Sequence, residues 1–240
     1  MGTWYLDNKQ ELESVLKKYL KSSIKEKTKI TKKINGLIVP HAGYEYSGAI
    51  AGKAFSLLKN KRIKKAIIIG PSHYVYLNDI ITTNREFWET PLGKIKTFNP
   101  GFLHADIYHE HSIKNQLPFL QNLNFKEIMP LMVGEISLEK AEEIAKKISK
   151  IPAVYIFSTD LSHFLPYDEA VKKDKQTIEI IENLDFNRIK EIDACGIYPL
   201  LILFCLCKIK KTKPHLIIYK NSGDVTGDKE AVVGYASLYF

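Results

Sequence analysis

Three short segments of this 240-residue chain place reactive side chains directly after apolar runs. Val39-Pro40 leads into His41-Ala42-Gly43-Tyr44, Ile69-Gly70 into Pro71-Ser72-His73, and Phe157-Ser158-Thr159 into Asp160-Leu161-Ser162-His163. Each apolar run reads as a buried strand, and in open α/β sheets the ligand crevice lies outside the carboxyl ends of the strands. A hydrophobic core has no use for two histidines and an Asp-x-x-His delivered to one edge. Neutral imidazole and carboxylate are donors for iron, zinc, copper and manganese, and two histidines with a carboxylate form the open facial site of non-haem iron oxygenases. Taken singly, each residue also has an ordinary use. His41 or His73 serves as a hydrogen-bonded structural histidine, and Asp160 as the N-cap of a short helix that carries His163 one turn along.

Two further segments carry candidates. His104, His109, Glu110, His111 and Ser112 form a polar cluster entering a predicted helix. Glu110 and His111 suit a supporting role, orienting residues that touch a metal, with Tyr44 beside them. His104 and His109 read as surface residues. Cys195-Gly196 precedes a predicted helix, where the dipole and free amides favour a thiolate, so Cys195 is a candidate metal ligand or nucleophile; otherwise it is a small buried hydrophobe. Cys205 and Cys207 lie in an apolar helical stretch and read as core. The loop Asn221 to Asp228 is rich in Gly, Asp and Ser and could cradle an anion or close the pocket mouth, but it matches neither a P-loop nor a GxGxxG pattern.

The elements that position these residues follow from periodicity. Asp7 is expected to cap a first helix, with Gln10 three residues on and Leu12, Val15, Leu16 and Leu20 at helical spacing. After a lysine-rich connector, Gly36–Val39 reads as a strand, residues 47–59 as a helix and Ala66–Gly70 as the next strand, a β-α-β order with strands apolar throughout. Residues 74–110 are less regular, with a strand at 79–83 and a turn at Pro91-Leu92-Gly93. Beyond them come a helix at 112–123 despite Pro118, a strand at 128–133, an amphipathic helix at 138–150 and a strand at 153–157. Helices at 167–183 and 197–208 and strands at 216–219 and 232–238 complete the chain. No repeat, low-complexity tract or linker divides it. The expectation is an α/β fold in a single domain over 1–240, with a mostly parallel central sheet flanked by helices.

Composition excludes several classes. The net charge is +8, yet only three arginines stand against 32 lysines. Bidentate phosphate and base contacts are arginine chemistry, so no nucleic-acid partner is expected. The lysines fall in runs such as Lys25–Lys33, which suit a solvated surface. The longest apolar run, Tyr198–Cys207, is interrupted by Pro199 and spans about half the ~20 residues of a membrane helix. Three cysteines do not make a disulfide framework, and the first ten residues lack the pattern of a signal peptide. A cytoplasmic location with no membrane partner is expected.

The ordered motifs resemble the Memo family (mediator of cell motility), system protein B of the AmmeMemoRadiSam trio. They run from Gly2-Thr3-Trp4-Tyr5 through Pro40-His41-Ala42-Gly43-Tyr44, Gly70-Pro71-Ser72-His73, Thr90-Pro91-Leu92-Gly93 and Glu110-His111-Ser112. They continue with Ser158-Thr159-Asp160-Leu161-Ser162-His163, Cys195-Gly196, Ser222–Asp228 and Val233-Gly234-Tyr235-Ala236-Ser237. The resemblance implies a fold similar to class III extradiol dioxygenases, the non-haem iron enzymes that open catechol rings. It implies a metal held by His41, His73 and Cys195, with Asp160 and His163 beside it as proton-transfer groups or additional ligands. Iron(II) or copper(I), with zinc as a further option, are the implied cofactors. A metal-dependent redox or dioxygenase-like activity is one implied function. A non-enzymatic adaptor or metal chaperone, with a peptide, a small molecule, or the radical-SAM and companion proteins of the trio as partner, is the other. One departure is Lys114, where the family often has glutamate.

Overall fold

The strands form because β-branched and aromatic residues alternate in which face they present, and both faces are covered. The computed structural model describes residues 4–21 and 34–240. Its elements run α1 (Lys9–Lys21), β1 (Gly36–Val39), α2 (Tyr44–Ser56), β2 (Lys65–Pro71), β3 (Ile80–Thr83), β4 (Phe87–Thr90), β5 (Gly93–Thr97), β6 (His104–Ala105), α3 (His111–Lys114) and α4 (Leu117–Asn122). They continue β7 (Glu127–Val133), α5 (Leu138–Ser149), β8 (Val154–Ser158), β9 (His163–Leu165), α6 (Tyr167–Asn183), a 3-10 turn (Phe186–Glu191), α7 (Ile197–Lys210), β10 (His215–Asn221), α8 (Gly223–Thr226) and β11 (Val232–Tyr239).

The sheet order is β10-β11-β1-β8-β2-β7-β3-β6, with β5 also on β7, β4 on β5 and β9 on β11. Strands β1, β8, β2 and β7 are mutually parallel and form its centre. Antiparallel strands flank them, β11 on one side and β3 on the other. The sheet therefore divides two apolar cores. Ile38, Ile67, Ile69, Leu131, Tyr155 and Phe157 face α5, α6 and α7. Leu37, Val39, Ile68, Val154 and Ile156 face α1, α2 and α4. Each fully buried Leu or Ile stabilises by about 1.5–3 kcal/mol. Helix α7 is buried over nearly all its length, from Pro199 to Cys207, which is why its sequence is apolar on every face.

The sequence readings need three adjustments, and one expected strand needs an account of its proline. Asn8, not Asp7, caps α1, because its Oδ1 accepts the Glu11 N–H at 3.1 Å. The helix expected at 112–123 is two short helices, with Pro118 in the first turn of the second, where the missing N–H costs nothing. The irregular region contains a hairpin, β4 with β5, closed by Pro91-Leu92. Pro130 sits inside β7, between its pairing with β5 at Glu127–Ile128 and with β3 at Met132–Val133, so that flank requires no ladder bond from it. The lysine run 25–33 and Gly2-Thr3 lie outside the described residues. Among the described residues no helix is long and apolar enough to cross a membrane.

Candidate metal centre

Register sets the height of the site. Val39 pairs with Ser158, and Ile69 with Phe157, so β1, β8 and β2 end level with one another. His41, Asp160 and His73 follow within two or three residues, on adjacent strands, at the carboxyl edge of the sheet. This juxtaposition is the one expected of a ligand crevice.

The two histidines are oriented by hydrogen bonds that also fix their tautomers. His41 is 2% exposed, and its Nδ1 lies 2.9 Å from Ser158 Oγ. Ser158 Oγ gives its single hydrogen to the Ser112 carbonyl at 2.5 Å and accepts from Gln116 Nε2 at 2.9 Å. Only a lone pair remains for His41, so Nδ1 carries the proton and Nε2 presents a free lone pair. His73 repeats the arrangement with a carboxylate. Glu110 Oε1 takes the His73 Nδ1 proton at 2.8 Å and the Ser112 N–H at 2.9 Å, while Oε2 takes the His73 backbone N–H at 2.8 Å. His73 Nε2 is thereby left free. A carboxylate holding the far nitrogen of an imidazole is a common support for a metal-binding histidine.

Cys195 arrives from the opposite layer. Its N–H donates to the Asp160 carbonyl at 3.3 Å, and the Asp160 N–H points at Sγ from 3.3 Å. Gly196 permits this docking, since a Cβ there would lie 2.7 Å from Thr159 Cβ and Oγ1. Sγ sits 3.3 Å from His41 Nε2. The donor atoms of His41, His73 and Cys195 all lie within 4.8 Å of one another. Bonds of 2.0–2.3 Å in tetrahedral geometry need donor separations of roughly 3.3–3.6 Å. One pair already meets that spacing, and the others, within 4.8 Å, need closure of at most about 1.5 Å, so a nitrogen–nitrogen–sulfur set for one ion fits these residues.

Electrostatics keep His41 and His111 neutral, the form of imidazole that donates to a metal. Burial, then the neighbouring His73, holds His41 well below the usual histidine range. Burial, then His41 and His73, brings His111 down to about 4. The three imidazoles form a mutual cluster, with ring centroids 5.1 Å apart for His41–His73, 5.2 Å for His41–His111 and 4.3 Å for His73–His111. His111 Nδ1 is buried and makes no hydrogen bond among the described residues, lying 3.4 Å from Glu110 Oε1, and its ring stacks on Trp4 at 4.3 Å. A second donor group, His73, Glu110 and His111, shares His73 with the first. Burial pushes Glu110 upward, but the hydrogen bonds from His73 and Ser112 win and bring it down to about 2.

Several expectations change here. Asp160 does not cap a helix: residues 159–162 are irregular and His163 begins β9. Instead Asp160 Oδ1 accepts the His41 N–H at 2.8 Å, while Oδ2 lies 3.8 Å from His41 Nε2. Burial raises the Asp160 carboxyl above its usual range. The Cys195 thiolate is not favoured in the metal-free protein, because burial, then Asp160, pushes the thiol up to about 12. His163 is exposed, and its charge acts on both His41 and Asp160. Among the described residues Tyr44 makes no hydrogen bond to His41, His73 or Cys195. Its hydroxyl donates to the Asn115 carbonyl at 2.7 Å, and Asn115 Nδ2 holds the His41 carbonyl at 2.6 Å. His104 and His109 are exposed, and Cys205 and Cys207 are core, as their sequence context indicates. The loop at 221–228 closes on itself: Asn221 Oδ1 takes the Asp224 N–H, and the Asp224 carboxylate takes the Asn221 N–H and the Tyr167 hydroxyl. The anchoring roles of Ser158, Asn115, Gln116 and Trp4 escaped the sequence reading. A serine ending an otherwise apolar strand, and an Asn-Gln pair between two short helices, were the available signals.

A sequence profile described as "Memo-like protein" matches residues 1–239. The chain belongs to this family. Relatives carry the name "MEMO1 family protein". The one from Methanobrevibacter smithii is 37% identical, covering 85% of this chain and 82% of the relative. The one from Sulfolobus acidocaldarius is 34% identical, covering 85% and 81%. The one from Aquifex aeolicus is 32% identical, covering 100% and 96%. Membership in the Memo-like family thus spans the segments that bring His41, His73, Asp160, His163 and Cys195 together.

Proposed function

We propose that this Memo-like chain binds one transition-metal ion through His41 Nε2, His73 Nε2 and Cys195 Sγ and serves as a metal-dependent redox protein. The observation that carries the reading is the pair of fixed tautomers. Ser158 and Glu110 each occupy an Nδ1 proton, which leaves two free lone pairs facing a thiol. A thiolate donor favours iron(II), copper(I) or zinc over magnesium or calcium. Such an ion would supply Lewis-acid or redox chemistry with open positions for a small molecule. The chain's own residues do the rest. Asp160 fixes the His41 backbone through Oδ1, and its carboxyl, with Oδ2 3.8 Å from His41 Nε2, is biased by burial toward keeping a proton. His163, exposed at the edge, is the group that exchanges protons with solvent. A dioxygenase-like oxidation is the specific form of this reading. A non-enzymatic adaptor or metal chaperone is the second, favoured by the exposed Tyr74, Tyr76 and Phe164 that follow the site histidines.

The test is metal analysis of untagged protein purified without oxygen, wild type beside His41→Ala. About one iron or copper per chain, lost in the variant, supports the reading and justifies oxygen-uptake assays. No transition metal in the wild type, even after anaerobic reconstitution, overturns it in favour of a partner-binding pocket.

A further inference from the structure

Asp174 on α6 is fully buried, and among the described residues no cation lies within ion-pair distance of it. Its carboxylate is nonetheless used. Oδ1 accepts the backbone N–H of Ser162 at 2.9 Å, and Oδ2 accepts the Tyr219 hydroxyl from β10 at 2.7 Å. Gly234 on β11 leaves the space it fills: a Cβ there would lie 2.0 Å from Asp174 Oδ2. Gly234 also brackets the same segment through its backbone, donating to the Ser162 carbonyl at 2.9 Å and accepting the Leu161 N–H at 2.8 Å. Helix α6 and strand β11 therefore converge on Leu161-Ser162, the two residues between Asp160 and His163, and β10 supports them through Tyr219 on Asp174. An apolar side chain at 174 would fill the space without the desolvation cost of a buried carboxylate. What it could not do is hold one particular N–H in one direction.

We infer that Asp174 is a positioning residue for the metal centre, fixing the Asp160–His163 segment through the Ser162 N–H, with Tyr219 and Gly234 setting the carboxylate. The inference rests on the proposed roles of Asp160, His163 and Cys195. Asp160 transmits the position in two ways: its Oδ1 holds His41 and its N–H faces Cys195 Sγ. Removing the Asp174 carboxylate frees the segment and with it the relative placement of a nitrogen and the sulfur donor.

The test uses the full chain with Asp174→Ala, Asp174→Asn and Tyr219→Phe. Asparagine keeps an oxygen for Ser162 and turns its amide toward the Tyr219 oxygen, so it is the rescue. In metal-free protein, hydrogen exchange at the Ser162 amide should quicken by about tenfold or more in Asp174→Ala and stay near wild type in Asp174→Asn, the loss of a bond to a charged acceptor. With cobalt(II) as probe, Asp174→Ala should shift the thiolate-to-cobalt charge-transfer band and weaken binding by about tenfold, and the asparagine variant should restore both. Unchanged Ser162 exchange in the alanine variant overturns the inference. So does faster exchange with a wild-type cobalt spectrum and affinity, which would leave Asp174 a merely structural role. If Asp174→Ala does not fold, Tyr219→Phe carries the same comparison with smaller shifts. Failure of the wild type to take cobalt would instead sink the metal reading, and Ser162 exchange would then decide the positioning claim alone.

Discussion

Replacing Glu110 with glutamine tests the part of the site whose energetics are most exposed to measurement. Glu110 is 2% exposed and meets three N–H groups with two oxygens. Glutamine has one acceptor oxygen, and its NH2 group must face at least one of those donors. The carboxyl, lowered from 4.5 to about 2 against the opposing pull of burial, gives a magnitude. A shift of that size corresponds to on the order of 3 kcal/mol of stability at neutral pH. The glutamine oxygen recovers part, so the variant should lose about 2–3 kcal/mol at pH 7, or roughly 5–10 °C in Tm. The sign in pH is fixed. A depressed carboxyl stabilises the fold above its unfolded value and ceases to do so as pH falls through the folded one. The gap between wild type and variant should therefore be constant above about pH 5, shrink between about 4.5 and 2, and vanish below. Urea unfolding of metal-free protein at pH 7, 5, 4 and 3 measures it. A gap that does not change with pH, or none at pH 7, would refute the assignment of Glu110 as the ionised acceptor of His73.

Ser158→Ala leaves the His41 Nδ1–H without an acceptor, so metal affinity, measured by competition with a chromophoric chelator, should fall about 10- to 100-fold; affinity within twofold of wild type would mean Ser158 does not set the tautomer. Because the Cys195 thiol stands at about 12, metal uptake must expel its proton. Affinity should then rise about tenfold per unit between pH 7 and 9, with one proton released in calorimetry across two buffers, and Cys195→Ser should abolish the release. Gly196→Ala puts a methyl against Thr159, costing about 1–3 kcal/mol of stability and lowering metal occupancy; a fully loaded variant would show that the Cys195 loop accommodates it.

Much of the fold was legible because its pattern is local. The strands at β1, β2, β7 and β8 are apolar runs covered on both faces, and α5 and α6 carry clean helical periodicity. The position of His41, His73 and Asp160 was legible too, since strand-end residues in parallel neighbours come together whatever the loops do. What escaped notice depends on long-range partners. Asp160 looks like a helix cap in sequence, but its oxygen is claimed by an N–H 119 residues away. The Cys195 thiol looks acidic at a helix start, yet its burial depends on packing between layers, and that packing decides its protonation. The β4–β5 hairpin has exposed charged positions, Glu89 and Lys94 among them, and little periodicity to betray it.

His41 and Cys195 are in contact across 154 residues of chain, and the donors come from three separate loops. These donors meet only once the sheet and α7 have come together, so on the proposed metal reading an ion would bind late in folding. The His73 side chain is 25% exposed where that of His41 is 2%, so of these two donors His73 would be the first an arriving ion meets. On that reading loading would be an event distinct from folding of the sheet, open to control by whatever delivers the ion.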